Sequence, residues 1–418
     1  MDSSAMLARH LTSRLLQALQ RSPVVLLQGA RQTGKSTLVQ WLSAHGHKAR
    51  YLTFDNSATL AAATRDPEAF LAGLDGPVVL DEVQLAPGLF RAIKLAVDRQ
   101  RAPGRFLLTG SANVLLLPKL SESLAGRMEI LTLWPFSQGE LDHTPDGLVD
   151  ALFEPAALPD ITSPALPRFH LAKRLVAGGY PELHQRHAPE DWAAWFGSYL
   201  TTILQRDVRA MADIEGLTQM PRLLALLAAQ AGGLLNIAEL SRDMGLAQPT
   251  LKRYLTLLQA THLYQPLPAW SGNTRKRLIK REKVYLNDTG LLTYLLGIDA
   301  ARLAEPAGPI GPVLESLVAQ ELHKQITWSQ TQPSLFYFRT SAGQEVDFVL
   351  ENRRGQIAGI EVKSSMGLGG DDVKGLAYLA DSLGKRFVRG VILYQGQTAV
   401  PFAKNIQALP LTRLWHTP

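Results

Sequence analysis

The chain has 418 residues, of which 46% are apolar and 19% charged, with 33 glycines, 25 prolines and no cysteine. That length allows several domains with separate cores, and the balance excludes low-complexity disorder, collagen-like repeats and a long coiled coil. The lack of cysteine excludes disulfides, thiolate zinc, iron–sulfur clusters and thiol catalysis. The net charge of +6 is too small to name a partner until its distribution is known.

The N-terminal stretch carries Leu7, Leu11, Leu15, Leu16 and Leu19 at helical spacing, broken by Arg and His. It reads as an amphipathic helix rather than a secretory signal, and no run approaches the ~20 apolar residues of a membrane span. Cytoplasmic residence with no membrane partner is the expectation.

Val24 to Leu27 form an unbroken apolar run, the pattern of a strand buried on both faces. Gly29-Ala30-Arg31-Gln32-Thr33-Gly34-Lys35-Ser36-Thr37 follows and opens a helix, giving G-x-x-x-x-G-K-[ST] between strand and helix. Glycines let backbone N–H groups wrap phosphates, Lys35 would neutralise them, and the Ser36 hydroxyl would ligate Mg²⁺. A second apolar strand from Pro77 ends in Asp81-Glu82, read as the Mg²⁺ carboxylate and the base that positions water. Tyr51 to Asp55 and Arg105 to Thr109 supply further strands, and Ser111 and Asn113 at the tip of the latter are candidates either for sensing the γ-phosphate or for a simple helix cap.

The ordered set GARQTGKST, VVLDEVQ, LLTGSAN, SLAGRM, WPFSQGEL, GGYPEL, YLTTILQRDV and KVYLNDTGL resembles the bacterial and archaeal AAA-type ATPases that carry the C-terminal domain of unknown function 4143. The resemblance covers nearly the whole chain. It implies an AAA+ core related to the signal-transduction ATPases, ATP and Mg²⁺ as ligands, and a homo-oligomer, a hexameric ring being one form. It also implies that Pro181, in Gly179-Tyr180-Pro181, touches the nucleotide. Where relatives carry an arginine at the third strand's tip this chain has Gly110-Ser111, which turns attention to Arg127 as an arginine supplied to a neighbouring subunit, the alternative for it being a surface salt bridge.

The expected fold is α/β: a P-loop core with a parallel sheet (1–141), a linker and helical lid (142–234), a winged helix–turn–helix with a basic loop (235–298), and a C-terminal α/β domain (299–418). Ile237 to Met244 and Gln248 to Leu258 have helix–turn–helix spacing, with Lys252 and Arg253 on the second helix. Ser271 to Lys283 then holds Arg275, Lys276, Arg277, Lys280, Arg281 and Lys283 against Glu282, so this segment carries +5 of the net +6. Such a basic loop beside a helix–turn–helix suits DNA phosphates, with selection of DNA structure rather than sequence. In the C-terminal part, Asp347 on one strand with Glu361 and Lys363 on the next forms a D…ExK set, and Glu315 lies on the preceding helix. This resembles the restriction-endonuclease-like PD-(D/E)xK fold, which implies a second divalent cation and a nuclease-like site. The leading expectation is ATP hydrolysis coupled to DNA binding or remodelling. The alternatives are a nucleotide switch acting on a protein partner and an ATP-gated nuclease.

Overall fold

The computed structural model describes residues 7–113, 124–156, 158, 166–186, 188–209 and 217–417. The chain divides into two compact units. The first comprises Met1–Phe136, Leu200–Glu215 and Arg253–Leu263, and the second Ser137–Tyr199, Gly216–Lys252 and Tyr264–Pro418. This partition cuts across the four modules read along the sequence, because two later segments return to the first unit.

The first unit is built on β1 (Val24–Gln28), β2 (Arg50–Thr53), β3 (Val78–Asp81), β4 (Phe106–Gly110) and β5 (Met128–Thr132). They form one parallel sheet in the order β2-β3-β4-β1-β5. The three inner strands are buried at every position, which is why their sequences show apolar runs without alternation, whereas edge strands β2 and β5 are largely half-exposed. Phe54, Phe90, Ile93, Phe106 and Leu108 pack one face of the sheet. The connecting helices begin where their sequences provide caps: Asn56 accepts from Ala58 and Thr59 N–H, and Asp66 accepts from Ala69 N–H just before Pro67. Because all five strands run the same way, their polar tips collect at one edge.

In the second unit, β6 (Tyr264–Leu267) and β7 (Lys283–Leu286) pair antiparallel. The stretch between them differs from the basic loop read in the sequence: Thr274–Ile279 is an α-helix. Its Arg, Lys, Leu and Ile residues have good helix propensity, while the Ser-Gly-Asn preceding them accounts for the loop-like appearance. A six-stranded mixed sheet follows, formed by β8 (Ser334–Arg339), β9 (Glu345–Glu351), β10 (Ile357–Lys363), β11 (Phe387–Tyr394), β12 (Val400–Ala403) and β13 (Ile406–Pro410), in the order β12-β13-β11-β10-β9-β8. Helix Lys374–Leu383 buries Leu376 and Leu379 against Val349, Ile357 and Phe387 of this sheet.

Residues from three of the motif segments, among them Tyr199, converge elsewhere in this unit. The fully buried Asp288 carboxylate accepts from Gly179 N–H at 2.7 Å and Gly290 N–H at 2.8 Å. Gly178 has φ +67° and a Cβ there would lie 2.1 Å from Asp288 Oδ1, so only glycine fits. The Asn287 amide donates to Tyr180 Oη at 2.9 Å, and Tyr180 also shares a 2.7 Å hydrogen bond with Tyr199, whose ring stacks on Trp195. Among the described residues no helix is long and apolar enough to cross a membrane.

Candidate functional site

The loop between β1 and helix Lys35–His45 is held open by its own backbone and by one distant side chain. At Gly29 a Cβ would approach Leu133 O to 2.1 Å, so the loop can pass the edge strand only with glycine there. Gln32 and Gly34 both take positive φ, and Thr33 Oγ1 donates to Ala30 O at 3.0 Å. Arg9 donates to Thr33 O at 2.8 Å and Trp134 O at 2.6 Å while stacking over Phe136. Lys35 is 4% exposed and donates to Gly29 O at 3.0 Å and Ala30 O at 2.8 Å. Burial lowers its pKa to about 8, against the opposing pull of the Glu82 and Asp81 charges. Among the described residues two carbonyls accept from this buried ammonium, which leaves it with strong reason to accept an anion.

Asp81 ends β3 beside this loop. Its carboxylate accepts from Ser36 Oγ at 3.1 Å, Tyr51 Oη at 2.6 Å and the Thr109 hydroxyl. Ser36 and Asp81 are thus adjacent hard oxygen donors next to the lysine, which suits Mg²⁺ bound with a triphosphate. Glu82 follows with φ 59° and ψ 44°, an uncommon conformation for a non-glycine residue that turns it off the strand line. Its N–H donates to Thr109 Oγ1 at 3.0 Å, and Gln84 Nε2 reaches both its carboxylate and Ser111 Oγ, the latter at 3.1 Å. Ser111 is therefore linked to Glu82 through Gln84. Gln28 Nε2 donates to Asn113 Oδ1 at 3.4 Å.

Several of these contacts were not read from the sequence. Thr109, Tyr51 and Gln84 fix the two acidic residues; the available signal was that polar residues at the tips of adjacent parallel strands meet. Asp207 is another. It lies in a π-helical turn, Ile203–Val208, and accepts from Arg31 Nη1 at 2.8 Å. Burial raises its pKa, and the Glu82 charge adds to that while Arg31 and Lys35 oppose it, so the turn lies within electrostatic range of the whole site. A negative group there repels a triphosphate. We expect Asp207→Asn to lower KM for ATP several-fold with little change in kcat, measured by steady-state hydrolysis. His262, close behind, is kept neutral by burial and by the Lys35 charge, its pKa lowered to about 3.

Arg127 is not brought to this loop. It precedes the amino end of β5, whereas the loop leaves the carboxyl end of β1, and β5 runs parallel to β1. There it forms a two-pronged pair with Asp98, at 2.6 and 3.0 Å. Pro181 starts a 3₁₀ turn in the second unit, directly after Tyr180 and next to the Asp288 knot.

The basic segment divides into two groups. Arg275, Lys280 and Arg281 are exposed, as are Lys252 and Arg253 on helix Gln248–Ala260. Arg277 corrects the expectation of a DNA-facing side chain: it pairs with Glu351 at 2.6 Å and stacks over Trp270 and Phe336, because its aliphatic stem and flat head gain more from an aromatic slot. The side chain of Lys276 lies outside the described residues. Lys283, counted in the same segment, is 3% exposed and turned inward.

In the C-terminal sheet the D…ExK residues do come together. Asp347 is on β9 and Glu361 and Lys363 on the paired strand β10, with Val362 N–H donating to Asp347 Oδ2 at 2.9 Å and Lys363 Nζ donating to Glu361 at 3.0 Å. Glu315, on helix Ile310–Trp328, accepts from Lys283 Nζ at 3.0 Å and Tyr285 Oη at 2.5 Å. Burial holds the Asp347 carboxyl well above its usual range, and the Glu361 and Glu315 charges push it the same way.

A parallel sheet with this loop and an acidic strand tip defines a P-loop ATPase of AAA type, and residues 21–142 match the AAA domain family. Residues 310–414 match the domain of unknown function DUF4143, and residues 168–302 the domain of unknown function DUF8612. The chain is 34% identical over 412 residues to the uncharacterized proteins Rv2008c of Mycobacterium tuberculosis and Mb2031c of Mycobacterium bovis, spanning 98% of this chain and 85% of each relative. It belongs to this family of AAA-domain proteins with a C-terminal DUF4143 region. Among solved structures it is similar to the Walker-type ATPase PABY2304 of Pyrococcus abyssi, with a TM-score of 0.39, 16% identity, and coverage of 70% of this chain and 96% of that one. It is also similar to the Thermotoga maritima RuvB Holliday junction branch migration motor, with a TM-score of 0.29, 17% identity, and coverage of 63% and 90%.

Proposed function

We propose that this ATPase couples hydrolysis to binding of DNA, selected by structure rather than sequence. In this reading Gly29 to Thr37 cradle the phosphates, Lys35 neutralises them, Ser36 and Asp81 hold Mg²⁺, and Glu82 takes the proton of the attacking water while Gln84 and Ser111 orient it. Mg²⁺, when bound, offsets charge on the transferring phosphoryl group. Asn113 N–H donates to Ala260 O at 2.7 Å, joining the tip of β4 to the end of the second helix of the helix–turn–helix. That contact offers a path from nucleotide state to the exposed Arg253, which lies in the same unit. A homo-oligomer, such as a ring, would let Arg127 serve a neighbouring copy after release from Asp98.

The observation carrying the DNA reading is the set of exposed cations, Arg275, Lys280 and Arg281, at one short helix and its C-terminal edge. The expected result is that a chain with all three changed to Ala loses DNA-stimulated hydrolysis but keeps basal turnover. Its binding should also show a shallower salt dependence, by about 0.9 in log–log slope for each duplex phosphate that is no longer neutralised. Equal DNA affinity and slope in this variant, measured by fluorescence anisotropy across a salt series, would refute the reading.

A second reading, a nucleotide switch acting on a protein partner, is favoured by Leu278 and Ile279, which are 82% and 74% exposed between those cations. Loss of DNA response on changing Leu278 and Ile279 to Ser, with the cations intact, would favour insertion between bases. An unchanged response would leave these apolar residues to a protein.

A further inference from the structure

The restriction-endonuclease-like fold implies a divalent cation between Asp347 and Glu361, and the residues present do not fit one. Among the described residues no group of three or more His, Asp or Glu side chains is arranged to hold a metal ion. The reason is a lysine. Lys283 Nζ lies 3.0 Å from Glu315, 2.9 Å from Glu345 and 3.6 Å from Asp347. An ammonium has three N–H donors, and three carboxylates surround this one. The other Asp347 oxygen is taken by Val362 N–H, and Lys363 Nζ occupies one oxygen of Glu361. Only Glu361 Oε2 is buried without a hydrogen-bond partner in this cluster, among the described residues.

We propose that Lys283, seated between Glu315, Glu345 and Asp347, is a built-in cation that takes the place of a divalent ion in this carboxylate cluster, so that the D…ExK set is an ion-pair centre and not a hydrolytic site. Four carboxylates, Glu315, Glu345, Asp347 and Glu361, from one helix and two strands cannot all ionise together at low dielectric without compensating positive charge. Lys283 and Lys363 supply it from within the chain. Mg²⁺ requires about six oxygen ligands near 2.1 Å, and to enter it would have to expel Nζ, leaving an ammonium buried without partners. The arrangement also has a structural consequence. Lys283 opens β7, directly after the basic helix, while Arg277 pins that helix from within through Glu351, Trp270 and Phe336. The two inward cations anchor the segment at the C-terminal sheet and leave Arg275 and Arg281 outward, while the exposed Lys280 donates to Arg339 O at 3.0 Å.

The test uses the full chain without nucleotide, titrated with Mn²⁺ and followed by the electron paramagnetic resonance signal of the free ion. The wild type and Asp347→Asn should give the same titration, and plasmid DNA incubated with the wild type and Mn²⁺ or Mg²⁺ should stay uncut. Lys283→Ala should take up one additional Mn²⁺ per chain, gain a Mn²⁺-dependent rise in Tm, and lose both on adding Asp347→Asn. Uptake by the wild type that disappears in Asp347→Asn overturns the proposal, as does nicking that disappears in that variant. A folded Lys283→Ala chain that binds no more Mn²⁺ than the wild type overturns it too. Should Lys283→Ala fail to fold, the comparison of wild type with Asp347→Asn still decides.

Discussion

Replacing Lys35 with Ala is expected to lower kcat for ATP hydrolysis at least a thousandfold. The Lys35 ammonium has left water for two carbonyl oxygens of its own loop, a poor exchange for a full charge. Phosphate oxygens complete that exchange, and they gain charge as the terminal group transfers, so the interaction strengthens along the reaction path. A thousandfold loss corresponds to about 4 kcal/mol, within reach of a charge pair shielded from water. Steady-state turnover measures it, and undiminished hydrolysis would refute the site. The variant should still fold, because removing a desolvated ammonium also removes its desolvation cost.

The same lysine predicts a proton signature. Burial lowers its pKa to about 8, and phosphates bound beside it would restore it toward the usual value near 10.5. At pH 7 the group is charged in both states and binding moves no proton through it. At pH 9 it is mostly neutral when free and charged when bound, so nucleotide binding should take up close to one proton. Affinity should fall up to tenfold per pH unit above 8, until the bound-state pKa is reached. Calorimetry in buffers of different ionisation heat reads the uptake directly, and Lys35→Ala should abolish it.

The contrast between what could and could not be read beforehand follows from the range of the interactions. Strands β1, β3 and β4 were legible because burial on both faces leaves apolar runs bounded by glycine and acidic punctuation. Helix Ile237–Met244 was legible to the residue, because Asn236 caps it and Gly245 ends it at φ 65°. The phosphate loop is contiguous and was read whole. Its supports are not contiguous: Asp207 reaches Arg31 across 176 positions, from a π turn whose periodicity no helical template matches. Charge was misread for a related reason. Counting placed Arg277 and Lys283 with their exposed neighbours, yet Glu351 and the carboxylates that claim them lie more than thirty positions downstream. Sequence showed where cations are concentrated, and only the fold showed which of them were already paired.

Glu82→Gln should separate binding from hydrolysis. The side chain keeps its size, and Gln84 Nε2 and the Thr109 hydroxyl that fix this corner remain. What it loses is the ability to accept a proton from water, a step that general-base groups accelerate by about 10²–10⁴. The expected result is a kcat reduced by that factor with KM for ATP nearly unchanged, and a chain that retains unhydrolysed ATP through gel filtration. Asp81→Asn should behave differently. Its carboxylate accepts from Ser36, Tyr51 and Thr109, and an amide can receive those hydrogen bonds at only one oxygen, so the variant should weaken Mg²⁺ and need a higher concentration for half-maximal rate. If both variants raised the Mg²⁺ requirement equally and Glu82→Gln retained no ATP, Glu82 would be a second metal-side carboxylate instead of the base. The positive φ at Glu82 bears on this choice. A residue whose carboxylate merely joined Asp81 could continue the line of β3, whereas turning off that line brings it to Gln84 and Ser111, where a water attacking the terminal phosphate would be oriented.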